Sequence, residues 1–197
     1  MKLVLATANP GKQREFAALL AARGFELVLQ SELGIASPAE TGRSFEENAL
    51  LKARHAAAHA RLPALADDSG LEVDALDGRP GVRSARFAGP EASDEQNNAA
   101  LLAALAGIPP ERRTARYRCV LALVRNAEDP RPLIAQGSWE GRIGLDPAGS
   151  GGFGYDPYFI PAGHDCTAAE LNAAHKNALS HRGAALRDLV ARLDTCL

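Results

Sequence analysis

The sequence contains no long hydrophobic run: nowhere do about 18 apolar residues stand together, the length that a membrane-spanning helix requires. The apolar stretch at its start is too short for a secretory signal, so a cytoplasmic protein with no membrane partner is expected. Cysteine is scarce as well. Cys119, Cys166 and Cys196 are odd in number and far apart, which excludes a disulfide framework or a metal knuckle and suggests reduced thiols. Cys119 lies in an alternating apolar stretch and reads as a small core residue. Runs rich in Lys and Arg are absent and the formal net charge is -2, which argues against a nucleic-acid polymer and leaves small anions open. His55 and His59 share a helix face, but Ala56 stands where a zinc site of that spacing has Glu, and no third ligand is evident. A solvated face is the better reading.

What remains is a chain of 197 residues, 46% of them hydrophobic, read as a single domain spanning 1–197. Residues 2–6 suit a buried strand, followed by Thr7-Ala8-Asn9-Pro10-Gly11-Lys12 and a helix with Phe16, Leu19 and Leu20 on one face. Asn9 suits the N-cap and Pro10 the first helical position. Further strands are expected at 26–30, 71–76, 115–124 and 133–143, and a last helix presents Leu186, Leu189, Val190 and Leu193 at helical spacing. Three capping-box sequences mark helix starts: Ser44-Phe45-Glu46-Glu47 before a helix reaching about Arg61, Ser93-Asp94-Glu95-Gln96 before one ending near Gly107, and Thr167-Ala168-Ala169-Glu170 before a short one. Alternating strands and helices give an α/β class. The longest non-periodic stretches, 32–43, 77–89 and 146–157, are rich in Gly and Pro, and loops of that length are more often functional than idle.

Asp67-Asp68 is the sharpest local signal. An apolar stretch delivers two adjacent carboxylates to what reads as a strand end, and Ser69-Gly70 then reads as a turn. Like charges this close raise each other's pKa unless a cation or a shared proton compensates, so the pair suits a divalent cation or a general base. An acidic β-turn explains the same four residues. If the loop carrying Glu40 folds over that strand end, three carboxylates share a hard cation while Lys52 balances charge or touches a phosphate; solvated surface charge is the alternative.

Three other segments carry chemistry. The strand, turn and helix start at 7–12, with Lys12 and Arg14 nearby, form a general anion site without the spacing of a Walker A loop. Gly149 to Gly154 matches G-x-G-x-x-G, but Tyr155-Asp156-Pro157 follows in place of a helix. The stretch reads better as flexible backbone presenting Phe153 and Tyr155 to a planar base, or as a loop whose aromatics plug the core. Ser180-His181-Arg182-Gly183, with Lys176 a turn earlier, suits an anion or a purine edge, and the Arg182 fork matches the O6 and N7 of a 6-oxopurine. Capping plus surface charge is the plainer account.

The order of these motifs is more telling than any one of them. T-A-N-P-G-K at 7–12, E-T-G-R-S-F-E-E-N-A-L-L-K-A-R at 40–54, A-D-D-S-G-L at 66–71, G-G-F-G-Y-D-P at 151–157 and S-H-R-G at 180–183 closely resemble the Ham1-type non-canonical purine NTP pyrophosphatases, over nearly the whole chain. The resemblance implies a mixed α/β fold with a long central sheet, helices forming two lobes around a substrate cleft, a homodimer and dependence on Mg²⁺. It implies hydrolysis of ITP, dITP and XTP to the monophosphate and pyrophosphate. Asp68 matches the catalytic base and a metal carboxylate, and Glu40 a second metal ligand. Thr7, Ala8, Asn9, Pro10, Gly11, Lys12, Lys52 and Ser69 match phosphate-side positions; Phe153, Gly154, Tyr155, Asp156, Lys176, His181 and Arg182 match the base-binding and remaining substrate positions. Two departures stand out: Ala8 where Gly is frequent, and His175 where an acidic residue is common, an imidazole that bears on the pH response of a base pocket. An aspartyl-phosphate phosphatase is disfavoured because its aspartates are spaced D-x-D. A nucleotide-sensing module without turnover leaves the clustered carboxylates unexplained.

Overall fold

The computed structural model describes residues 2–21 and 24–195. Strand β1 (Lys2–Leu5) has its last three residues buried, as expected of a strand with parallel neighbours on both sides. Those neighbours are β2 (Glu26–Leu29) and β3 (Ala64–Val73). Strands β4 (Thr114–Val124), β5 (Leu133–Ile143) and β6 (Phe159–Pro161) complete a six-stranded sheet in the order β2-β1-β3-β4-β5-β6, mixed because β6 runs antiparallel to β5. Five α-helices are described: α1 (Pro10–Ala21), α2 (Phe45–Ala60), α3 (Asp94–Ala104), α4 (Ala173–Leu179) and α5 (His181–Thr195). The mixed α/β class is the one expected. No described helix is long and apolar enough to cross a membrane.

The chain divides into two compact units, one of Met1–Asp68, Cys119–Gly137 and Arg182–Leu197, the other of Ser69–Arg118 and Ser138–His181. The first unit buries Leu3, Leu5, Phe16, Leu20, Leu65, Cys119 and Leu121 with Leu186, Leu189 and Val190 of α5 in one core. The second has its own core of Leu71, Val73, Leu101, Leu105, Tyr117, Trp139, Tyr155 and Phe159. Cys119 is thus the small core residue its alternating stretch suggested. The side chain of Leu19 and the whole of Cys196 lie outside the described residues.

Several boundaries differ from the sequence reading for identifiable reasons. Strand β3 does not end at the acidic pair: it runs unbroken from Ala64 to Val73 through Asp67-Asp68-Ser69-Gly70. The expected turn was read from side chains that also tolerate an extended backbone. Ser44 caps α2 by accepting from the Glu47 amide at 3.1 Å, but the Glu47 carboxylate returns to the Arg43 amide at 2.6 Å, one residue further back than a closed box requires. The box at Ser93 is complete. Thr167 and Glu170 close only a turn, and the short helix begins after a different cap, Asn172. His181, Arg182 and Gly183 form the first turn of α5.

Candidate active site

The acidic pair lies mid-strand, and successive side chains of a strand point to opposite faces. Asp67 and Asp68 accordingly meet different partners. Asp67 is fully buried, with Lys12 Nζ of α1 at 2.8 Å and Arg182 Nε of α5 at 3.9 Å. Arg182 is buried too and donates to Glu15 Oε2 at 2.8 Å. Lys12 and Glu15 are three residues apart on α1, so one helix face supplies both a cation for Asp67 and an anion for Arg182. Asp68 instead accepts from Lys52 Nζ at 2.8 Å and Asn48 Nδ2 at 3.2 Å, both on α2, and Lys52 also reaches Glu40 Oε1 at 2.9 Å.

These surroundings drive the two carboxyl groups apart. Burial alone would raise Asp67, but Lys12, Lys52 and Arg182 overturn it and hold the group well below the usual carboxylate range. For Asp68, burial prevails over Lys52, Glu40 adds repulsion, and the group titrates above its ordinary value. Burial works to lower Lys52, yet Asp67, Asp68 and Glu40 outweigh it and push that ammonium up to about 12. Divergent pKa values in neighbouring carboxyl groups are a mark of divided acid and base roles.

The three-carboxylate cluster expected from the sequence does not form: among the described residues no three His, Cys, Asp or Glu side chains are grouped to hold a metal ion. Asp67 is committed to cations on its own side of the strand. Glu40 and Asp68 nevertheless present oxygens within 3 Å of one shared cation, the Lys52 ammonium. Two carboxylates with the rest of the shell left to phosphate oxygens and water is the donor set that suits Mg²⁺. The residues therefore fit the group.

Of the anion-loop residues, Asn9 caps α1 as expected, its Oδ1 accepting the Lys12 amide at 3.0 Å, and Thr7 Oγ1 accepts the Asn9 amide at 3.2 Å. Pro10 opens α1 and Gly11 is buried in its first turn, while Ala8 is exposed. Ser69 is half-buried within β3.

The second unit gathers another group. Lys176 Nζ lies 2.7 Å from Asp156 Oδ2 and 5.1 Å from the centre of the Phe153 ring. The same Asp156 oxygen accepts the Phe153 amide at 2.8 Å. His181 is buried with its ring stacked on Tyr117, centroids 4.7 Å apart and planes within 11°. Of the two readings of the loop aromatics, Tyr155 follows the one that plugs the core. It is buried in the core with its hydroxyl donating to Ser84 O at 2.8 Å, so it does not present an aromatic face. His175 is exposed, with its ring centroid 5.8 Å from that of His164.

Sequence reasoning passed over Asn48, Glu15, Asp94 and Asn98. Asn48 was legible in principle: it stands four residues before Lys52, on the same face of α2, and its Oδ1 also accepts the Gly42 amide at 2.8 Å. Glu15 had the corresponding signal, three residues after Lys12.

The chain has counterparts among known proteins. The sequence profile of the Ham1 family matches residues 3–192. The chain belongs to the Ham1 family. A dITP/XTP pyrophosphatase of Methylococcus capsulatus is 60% identical over 192 residues, covering 98% of this chain and 96% of that protein. One of Vibrio parahaemolyticus is 55% identical with the same coverage. Among solved Ham1 structures, that of Coxiella burnetii is 46% identical with a TM-score of 0.91, covering 99% of both chains. The Staphylococcus aureus Ham1 protein is 37% identical with a TM-score of 0.86, over the full length of both.

Proposed function

We propose that this Ham1 protein is a pyrophosphohydrolase that converts ITP, dITP and XTP to the nucleoside monophosphate and pyrophosphate, clearing non-standard purine nucleotides from the pool. The relatives that match nearly its whole length carry the name dITP/XTP pyrophosphatase. The observation that carries the mechanism is the divergence of the acidic pair: Asp67 is held ionised between Lys12 and Arg182, while Asp68 is shifted upward beside Lys52 and Glu40.

In this reading Asp68 accepts the proton of a water that attacks the α-phosphorus. The bond from the α-phosphorus to the bridging oxygen breaks, and pyrophosphate leaves. Glu40 and Asp68 would hold Mg²⁺, which when bound offsets the charge of the triphosphate. Thr7 to Lys12, Lys52 and Ser69 bind the phosphates. Phe153, Gly154, Asp156, Lys176, His181 and Arg182 bind the base and the remaining substrate, with buried Tyr155 as scaffold. Arg182 takes the acceptor edge of a 6-oxopurine, and adenine offers a donor there instead. A cytoplasmic homodimer of single-domain chains belongs to the same proposal.

The test is incubation with ITP, dITP, XTP, GTP and ATP plus Mg²⁺, with the phosphate products separated. Pyrophosphate from the first three, with GTP and ATP turned over far more slowly, is expected. Orthophosphate as the product, or equal turnover of ATP, contradicts the reading.

A further inference from the structure

We propose that the start of α3 is a latch for the base-reading loop: Asp94 and Asn98 grip Gly154 by its amide and its carbonyl, and so set where Phe153 and Asp156 stand. The inference rests on the proposed assignment of Phe153 and Asp156 to the base.

The Gly154 amide donates to Asp94 Oδ2 at 2.7 Å. Asn98 Nδ2 donates to Gly154 O at 2.9 Å and to Asp94 O at 2.9 Å, so one side-chain amide ties the loop to the first turn of α3 with both of its protons. Asn98 is 8% exposed. Together with the Phe153 amide, held by Asp156 Oδ2 at 2.8 Å, three main-chain groups at the loop tip are bound to side chains.

One side of the loop tip is not packed. A cavity of about 490 Å³ lies against the loop, lined by Asn98, Leu102, Gly152, Phe153, Gly154 and Tyr158. The backbone is also intrinsically loose: Gly152 and Gly154 have φ of +74° and +66°, the region glycine enters freely, and a side chain at Gly152 would strike the Asp156 carboxylate. A loop tip with glycines on either side of Phe153 and a cavity against it depends on its hydrogen bonds for its position, among them a charge-assisted one from the Gly154 N–H to Asp94. Asp94 is also the first residue of α3, where a carboxylate is favoured by the helix dipole. Asp94 and Asn98 are positioning residues, acting on the base through Gly154.

The full-length Asp94→Ala, Asp94→Asn and Asn98→Leu proteins test this by hydrogen exchange over residues 150–157 and by steady-state kinetics with ITP and ATP. Asp94→Ala, which removes one charge-assisted hydrogen bond, and Asn98→Leu, which removes two neutral ones, are each expected to speed exchange in that segment and to raise KM for ITP about tenfold, with kcat within about twofold. The ITP over ATP preference falls with it. Asp94→Asn keeps an acceptor and is expected to restore exchange and to bring KM within about threefold of the parent. Unchanged exchange in both disruptive variants overturns the latch, as does a parental KM in whichever of them folds, or an Asn variant no better than Ala. Failure of the parent protein to cleave ITP overturns the assigned function instead, and leaves the exchange result to decide the latch.

Discussion

Lys12 Nζ lies 2.8 Å from Asp67 Oδ2, and that contact makes two adjacent aspartates chemically unequal. Asp67 is an anion that joins α1, β3 and α5, and Asp68, raised by its burial, is the carboxyl group proposed to exchange its proton. The consequence is that substitution at the two positions separates stability from turnover.

Asp68→Asn is expected to retain nucleotide binding and lose about 10²- to 10⁴-fold in kcat, the usual contribution of a general base. Single-turnover kinetics with ITP, alongside a binding titration, measures both. A variant with near-parental kcat removes Asp68 from that role.

Asp67→Asn is expected to destabilise the fold by about 3–5 kcal/mol, because Lys12 and Arg182 would remain largely buried facing a neutral amide. Denaturant unfolding reads this directly. A loss below about 1 kcal/mol contradicts the view of Asp67 as a structural anion.

The sequence carried most of this site as residue identities but little of its pairing. The capping residues Ser44 and Ser93, the cap at Asn9 and the buried strands follow from local propensity and were legible. The division of labour between Asp67 and Asp68 was not, because Ser69-Gly70 mimics a turn in sequence while β3 runs straight through it. A turn allows both carboxylates one partner; a strand sends them to opposite faces. The Gly154 latch was invisible for another reason. Its donor and acceptor lie about sixty residues apart, and no periodicity links α3 to the loop.

The buried position of Tyr155 gives a separate prediction. With its hydroxyl 2.8 Å from Ser84 O in the core, Tyr155→Phe is expected to cost about 1 kcal/mol of stability and to leave KM for ITP unchanged. Thermal unfolding and steady-state kinetics give the two numbers. A several-fold rise in KM at unchanged stability would return the ring to the base pocket.

The β4–β5 connection predicts a pH dependence. Asp129 accepts from Arg125 Nε at 3.0 Å, Arg125 Nη2 at 2.7 Å and the Arg131 amide at 3.0 Å, and the Arg125 hydrogen bonds hold its carboxyl far below the usual range. A carboxyl depressed in the folded state stabilises fully above its unfolded pKa of about 4, and that stabilisation is lost as pH falls below it. The stability difference between parent and Asp129→Asn is therefore expected to be constant from pH 7 to about 5 and to shrink toward pH 3. Urea unfolding across that range measures it, and a difference that grows on acidification contradicts the assignment.

In the proposed reaction water attacks the α-phosphorus and not the β- or γ-phosphorus. Hydrolysis of ITP in ¹⁸O-labelled water with Mg²⁺, followed by mass spectrometry of both products, tests it most directly. One labelled oxygen in IMP and none in pyrophosphate is the predicted result; label in pyrophosphate, or release of orthophosphate, contradicts it.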